Sequence, residues 1–107
     1  DIIAELNSDS LSVKVQIKNS WESEGKSFYQ YDLTIENTSD SNCDRWEIDL
    51  PFNGDFALSD GWNGEYSVNG STLHITCKDY NGSIAAGESA KDIGFIVSGK
   101  KDLSVVE

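Results

Sequence analysis

Three aromatic side chains stand in runs of polar, turn-forming residues, and they are the groups in this sequence best suited to bind a ligand. Trp21 lies in NSWESEGKS, Trp62 in SDGWNGEY and Tyr80 in CKDYNGS. Large rings are normally buried, whereas turns run over the surface. None of the three has an apolar neighbour at strand spacing, two residues away on either side. We therefore predict that all three rings are presented to solvent.

Rings surrounded by Asn, Asp, Ser and Gly suit a ligand with flat apolar faces and polar edges. Sugars in β-linked glucans and xylans have this character, with C–H groups on the ring faces and hydroxyl groups around the rim. If each protein ring lost about 100 Å² of apolar surface on docking, burial would contribute roughly 2.5 kcal/mol per ring. After an association cost of at least about 4 kcal/mol, this predicts micromolar or weaker binding. The alternative for any single ring is that it caps an open end of the fold.

Length and charge limit the classes of protein. The chain has 107 residues and a formal net charge of -11. This length predicts a single domain, residues 1–107, with one modest core. The negative charge repels phosphate groups and argues against nucleic acid or an anionic membrane surface as a partner. No run approaches the roughly 20 apolar residues of a membrane span, and DIIAELNSDS lacks the pattern of a signal peptide. We expect a mature protein or an excised module that is monomeric.

Period-two alternation of apolar and polar residues predicts strands through most of the chain. Asn-Gly pairs, which favour tight hairpins, lie between several of these segments. No window predicts an amphipathic helix, so we expect an all-β fold, an antiparallel β-sandwich. Trp46 shares the alternation of Ile48 and Leu50 and is predicted to be core, and Pro51 predicts an edge strand or a bulge. The predicted strands cover 11–19, 28–37, 45–52, 55–58, 65–68, 71–77, 91–99 and 102–107.

Cys43 and Cys77 could form one disulfide or remain two buried free thiols. We predict the disulfide, because Cys43 starts one apparent strand and Cys77 ends another. Closing a loop of about 34 residues would stabilise the fold by roughly 3.7 kcal/mol. A disulfide would also indicate an exported protein. Asn37-Thr38-Ser39 fits the N-glycosylation pattern, which matters only in a eukaryotic secretory host.

The sequence offers little support for catalysis, a metal or another cofactor, and we predict none. His74 is the only histidine, and its position in the alternation places it on the outer face of a strand, where a solvated side chain is expected. With one histidine and no CxxC pair, zinc lacks ligands. The acidic residues Asp40, Asp44 and Asp60 lack a recognised calcium-loop spacing. No nucleophile motif or phosphate-binding loop is present.

Two segments resemble a family 2 carbohydrate-binding module. YNGSIAAGESAKDIGFIVSG (80–99) is similar to the late segment of that family, and LTIENTSDSNCDRWEIDLPF (33–52) is similar to its strand, loop and buried-Trp strand. The resemblance covers about residues 11–99. It implies an Ig-like sandwich of about eight or nine strands and a planar strip of aromatic rings that stack on cellulose. The strip carries over here as Trp21, Trp62 and Tyr80, with Asn63, Asn81, Gln30 and Asp60 as polar companions.

The resemblance also implies a non-catalytic module that anchors a linked, secreted glycoside hydrolase of the endoglucanase type to cellulose or a related β-1,4-glucan. The chain departs from the family in its internal cysteines, in Tyr80 where Trp is common, and in a longer link after Trp21. In this family, Gly shortly after the first Trp goes with cellulose and Arg with xylan. Gly25 is near and no Arg is, so we expect cellulose.

Rival functions remain to be distinguished. A xylan-binding member of the same family is the nearest alternative. An Ig-like extracellular adhesion module would use the same rings as hot spots for a protein partner. A spacer domain would bury them. A small enzyme ranks last.

Overall fold

The computed structural model describes residues 2–107 and forms a sandwich of two antiparallel sheets. The larger sheet has the strand order β1-β2-β3-β8-β5, and the smaller has the order β4-β7-β6. The predicted all-β, Ig-like sandwich is therefore confirmed. The described residues contain no helix that could cross a membrane. Its eight strands are β1 (Ile2–Asn7), β2 (Leu11–Ser23), β3 (Lys26–Asn37), β4 (Glu47–Pro51), β5 (Phe56–Trp62), β6 (Glu65–Asn69), β7 (Thr72–Thr76) and β8 (Ser89–Gly99).

The core lies between the two sheets and is filled from alternate positions of their strands. Trp46 is fully buried, and its indole Nε1 donates a hydrogen bond to the carbonyl oxygen of Asn81 at 2.8 Å. The predicted alternation is confirmed for the central strands, because one face of each sheet must be apolar. The main contributors are Val13, Val15, Tyr31, Leu33, Ile35, Ile48, Leu50, Phe52, Leu73, Ile75, Ile93, Phe95 and Val97.

The strand boundaries differ from the predictions at both ends and at the β2–β3 hairpin. β1 was not predicted, since its alternation is interrupted by a bulge after Ile2. The predicted strand 102–107 forms only an isolated bridge, between Val105 and Phe52. The link after Trp21 is part of β2, and the hairpin turn is only Glu24-Gly25. Both turn residues have positive φ, 53° and 79°, which is typical of a two-residue turn that follows the strand twist.

The smaller sheet confirms two local predictions. Pro51 lies in β4, an edge strand, where its missing N–H does not interrupt a ladder. His74 points outward from the central strand of this sheet. Its Nδ1 lies 2.6 Å from Asp49 Oδ1 and its Nε2 lies 2.8 Å from Glu47 Oε2. The hydrogen bond to Asp49, with the charges of both carboxylates, raises the pKa of His74.

The predicted disulfide is wrong, because Cys43 and Cys77 are free thiols. Cys43 forms an isolated β-bridge with Ile84, and its Sγ lies 3.3 Å from the carbonyl oxygen of Arg45. The Sγ of Cys77 instead accepts a hydrogen bond from Arg45 Nη1 at 3.8 Å. Each sulfur is thus directed at a different part of Arg45 rather than at the other sulfur.

Candidate functional site

The outer face of the larger sheet brings together side chains from four strands. Phe28, Gln30 and Asp32 alternate with the inward-facing residues of β3 and therefore point away from the core. The strand register extends these positions into rows across the sheet. The three rows are Trp21–Phe28–Ser98–Ala57, Asn19–Gln30–Ile96–Asp60 and Gln16–Asp32–Gly94–Trp62.

A β-bulge in β2 places Trp21 on this outer face. Ile17 pairs with Tyr31, and Asn19 pairs with the next residue of β3, which leaves Lys18 as an extra residue. Regular alternation from Ile17 would direct Trp21 into the core. One extra residue reverses the alternation, so the ring points outward.

A second bulge does the same for Trp62 in β5. Leu58 pairs with Val97 of β8, and Asp60 pairs with the residue before it, which leaves Ser59 as an extra residue. Counted from Leu58, Trp62 would point inward without this bulge. Both tryptophans therefore reach the surface through an irregularity in their own strand, which is a recognised use of bulges near functional sites.

The Trp62 ring lies directly on the backbone of Gly94. A Cβ atom built on Gly94 would be 2.5 Å from Cζ2, 2.6 Å from Cε2 and 2.7 Å from Nε1 of the indole. All three distances are far shorter than van der Waals contact, so the indole packs directly against the backbone of Gly94 on its Nε1 side. A side chain at position 94 would prevent this contact. The protein therefore covers one side of a half-buried indole.

The Trp21 ring stacks on Phe28. Their centroids are 5.5 Å apart and their planes differ by 1°. Trp21 remains 38% exposed. Phe28 was missed as a site residue, although its alternation with Tyr29 could have placed it outward. As with Trp62, one side of the indole is occupied by the protein.

Tyr80 lies in the loop after β7 and is 70% exposed. Its hydroxyl donates a hydrogen bond to Asn63 Oδ1 at 2.6 Å, and Asn63 Nδ2 donates to the carbonyl oxygen of Asp92 at 2.6 Å. Asn81 Nδ2 donates to the carbonyl oxygen of Asn63 at 2.7 Å. The loop that carries Tyr80 is thus attached to the residue that follows Trp62.

The structure therefore divides the predicted site into two groups. Trp62, with its attached loop, lies at one edge of the larger sheet, and Trp21 lies three strands away. Strand spacing and rise place the two indoles about 14 Å apart across the sheet and about 13 Å along it, or roughly 20 Å in all. Gln30 and Asp60 lie in the row between them.

One ion pair lies on this face of the larger sheet. Lys18 Nζ lies 3.6 Å from Asp32 Oδ2 beside the middle of the face. His74 and its two carboxylates belong to the other sheet. Within residues 2–107, no group of three or more His, Cys, Asp or Glu side chains is arranged to hold a metal ion.

Three solved structures with a similar fold are two chitin-binding domains and a chitinase. The chitin-binding domain of Chi18aC from Streptomyces coelicolor has a TM-score of 0.65 and 20% identity, covering 89% of this chain and 86% of that one. Chitinase ChiA74 from Bacillus thuringiensis has a TM-score of 0.66 and 21% identity, covering 89% and 16%. The chitin-binding domain of a Pyrococcus furiosus chitinase has a TM-score of 0.60 and 18% identity, covering 91% and 89%. At these identities the likeness concerns the fold.

Sequence comparison identifies the family. Endoglucanase A of Thermobispora bispora is 30% identical over 76 residues, which cover 71% of this chain but only 16% of that protein. The chain thus spans about a sixth of the length of this curated relative. Residues 11–106 match the family described as "Cellulose binding domain". The match covers nearly the whole chain, so this protein belongs to the cellulose binding domain family, whose members are non-catalytic carbohydrate-binding modules.

Proposed function

We propose that this module binds cellulose through the outer face of its larger sheet. Trp21, Trp62 and Tyr80 supply the rings that stack on the sugars. The observation that carries the proposal is the outward placement of the two tryptophans by separate bulges, each with one side of its indole packed against the protein. Family membership supports carbohydrate as the ligand, and the endoglucanase relative favours a β-1,4-glucan.

Because one side of each indole is packed against the protein, the ring has less rotamer freedom to lose when it binds a sugar. An unsupported tryptophan on a surface would lose rotamer freedom on binding, and that loss opposes association. Trp62 on Gly94 and Trp21 on Phe28 have already lost part of this freedom in folding. The uncovered faces then offer apolar area to the C–H faces of a pyranose ring.

The separation of the rings favours an extended polymer over a short oligosaccharide. Two indoles roughly 20 Å apart across an open sheet cannot both stack on one sugar unit. A polymer lying over the sheet would pass Gln30 and Asp60, whose polar groups can hydrogen-bond to its hydroxyls. The side-chain amides of Asn63 and Asn81 form the hydrogen bonds that hold the Tyr80 loop, so we assign these two residues a positioning role.

Family membership and the endoglucanase relative also support a proposal for the larger protein in which this module acts. A polymer-binding module of this kind would be secreted and monomeric, and it would hold a linked glycoside hydrolase on its insoluble substrate. Attachment through several contacts raises the effective concentration of that enzyme at the surface.

Retention on insoluble polysaccharides tests the proposal. We expect the module to sediment with cellulose and to remain mostly in solution with xylan, mannan and chitin. The same isolated chain should release no sugar from soluble glucan. Stronger retention on xylan or chitin would replace cellulose as the ligand. Failure to bind any of the four would favour a protein partner, which uses similar rings as hot spots.

The contact between Gly94 and Trp62 yields a direct prediction. We expect Gly94→Ala to weaken cellulose binding by about tenfold, because a methyl group 2.5 Å from the ring must push Trp62 off the backbone. Adsorption isotherms and tryptophan fluorescence would measure the loss and the ring movement. Gly54→Ala is the control, since its methyl group would meet only the flexible Lys100 side chain, at 3.1 Å from Cε. Equal binding by both variants would contradict the expected role of the ring contact.

A further inference from the structure

The hydroxyl group of Tyr66 lies beneath the contact between Trp62 and Gly94. Its oxygen is 2.9 Å from the carbonyl oxygen of Trp62 and 2.6 Å from the carbonyl oxygen of Gly94. A hydroxyl has one proton to donate, so these two acceptors share it. Burial raises the pKa of Tyr66, so the hydroxyl stays protonated and remains a donor. One side chain thus holds the backbones of both residues.

The ring of Tyr66 is fixed in this place by its own packing. A Cβ atom built on Gly61 would lie 2.7 Å from Cδ1 and Cε1 of Tyr66, so the ring rests on a residue without a side chain. Its centroid is 6.0 Å from that of Phe95. Tyr66 belongs to β6 in the smaller sheet, and its hydroxyl reaches β5 and β8 of the larger sheet. It therefore connects the two sheets at this end of the sandwich.

The position matters because the β5–β8 ladder ends there. Trp62 is the last residue of β5 paired with β8, and its partner is Gly94. Asn63 follows with a positive φ of 59°, and the chain leaves for β6. Terminal pairs of a ladder open more readily than internal ones. Opening this pair would separate the Trp62 ring from the backbone that supports it.

We propose that Tyr66 is a positioning residue for carbohydrate binding. Its hydroxyl keeps the last β5–β8 pair closed and so keeps the Trp62 ring packed against Gly94. The link to binding rests on the proposed function, whereas the effect on the ring does not.

Tyr66→Phe tests the proposal, since it removes the hydroxyl and preserves the ring packing. Tyr29→Phe is the matched control, because the Tyr29 hydroxyl also contacts two backbone carbonyls, those of Lys100 and Lys101, away from Trp62. Both variants of the full chain would be labelled with ¹⁵N to observe the indole N–H signals. Adsorption isotherms on cellulose would be measured alongside.

We expect Tyr66→Phe to shift or broaden the Trp62 indole signal while Trp21 and Trp46 keep theirs, and to lower cellulose affinity about fivefold, the effect of one hydrogen bond. Tyr29→Phe should leave the Trp62 indole signal unchanged. An unmoved Trp62 signal in Tyr66→Phe would overturn the proposal, whatever the affinity. A moved signal with unchanged affinity would overturn the link to binding. If wild-type protein fails to bind cellulose, the proposed function fails, but the indole signal still decides the role of Tyr66.

Discussion

Trp62→Ala should lower the affinity for cellulose by about twelvefold, with the fold intact. The indole is half-buried, and covering roughly 60 Å² of its remaining apolar surface on docking would be worth about 1.5 kcal/mol at 25 cal/mol per Å². The ring lies on Gly94 outside the core, so its removal leaves no internal cavity. Adsorption isotherms on crystalline cellulose would measure the change, and far-UV circular dichroism would verify the fold.

The control for this substitution is Val68→Ala. Val68 is 43% exposed and belongs to β6 in the other sheet, so this substitution removes exposed apolar surface away from the proposed site. It should retain wild-type affinity. If Trp62→Ala also bound as wild type does, the outer face of the larger sheet would not be the binding surface.

The second large effect concerns stability, and it involves Asn37 rather than the binding face. Asn37 is fully buried, so a glycan on its side-chain nitrogen would be incompatible with this fold. Its Nδ2 donates hydrogen bonds to the carbonyl oxygens of Ser41 at 2.8 Å and Ile84 at 2.9 Å. Its Oδ1 accepts from the backbone N–H of Ser39 at 3.0 Å and from its hydroxyl at 2.7 Å. The side chain thus anchors the loop between β3 and β4.

We expect Asn37→Asp to reduce the free energy of unfolding by at least about 3 kcal/mol at neutral pH. A carboxylate cannot donate to the two carbonyl oxygens, and it would be a buried charge beside them. Burial should raise the pKa of this carboxyl above its unfolded value near 3.9, so the loss grows as the pH rises above that value. Thermal unfolding should show a decrease of about 12 °C or more at pH 7 and a smaller one near pH 4.

Asn69→Asp is the control, because it adds the same charge at an exposed position. Asn69 ends β6, and the turn after it tolerates Asp. Its melting temperature should stay within a few degrees of wild type. Equal melting temperatures for the two variants would mean that the buried amide contributes nothing specific.

Much of the sandwich could be predicted because its physical cause is local in sequence. A strand covered on one face must alternate, and Val13, Val15 and Ile17 display that period directly. Trp46 follows the same rule and is buried as predicted. The Asn-Gly pair at position 69 also marks a hairpin between strands that do pair.

The candidate site was harder, because its geometry depends on cross-strand register. Lys18 and Ser59 carry no local mark of a bulge, and only the partner strands show that each is an extra residue. The contact between Trp62 and Gly94 and the hydroxyl bond from Tyr66 to Gly94 join residues far apart in sequence. The exposure of Trp21 and Tyr80 could be predicted, but the half-burial of Trp62 and the contacts that support the rings could not.

The cysteine prediction failed for a related reason. Two cysteines can each lie at the end of a predicted strand without their sulfur atoms facing each other in the fold. A disulfide requires a narrow range of distances and angles between the two residues. Here each thiol interacts with Arg45 instead of with the other thiol.

The extra residues Lys18 and Ser59 allow the core-facing part of each strand and its outward-facing ring to be positioned independently. In a regular strand, the alternation of side chains would fix both together. In a straight strand, losing one residue between the interior pattern and the ligand ring would turn that ring to the opposite side. Removing Lys18 would have no such result, because Asn19 would still follow Ile17 opposite β3. Homologues one residue shorter at this point can therefore display the same ring from a straight strand. Spacing along the chain is then free to drift during evolution while the working surface stays unchanged.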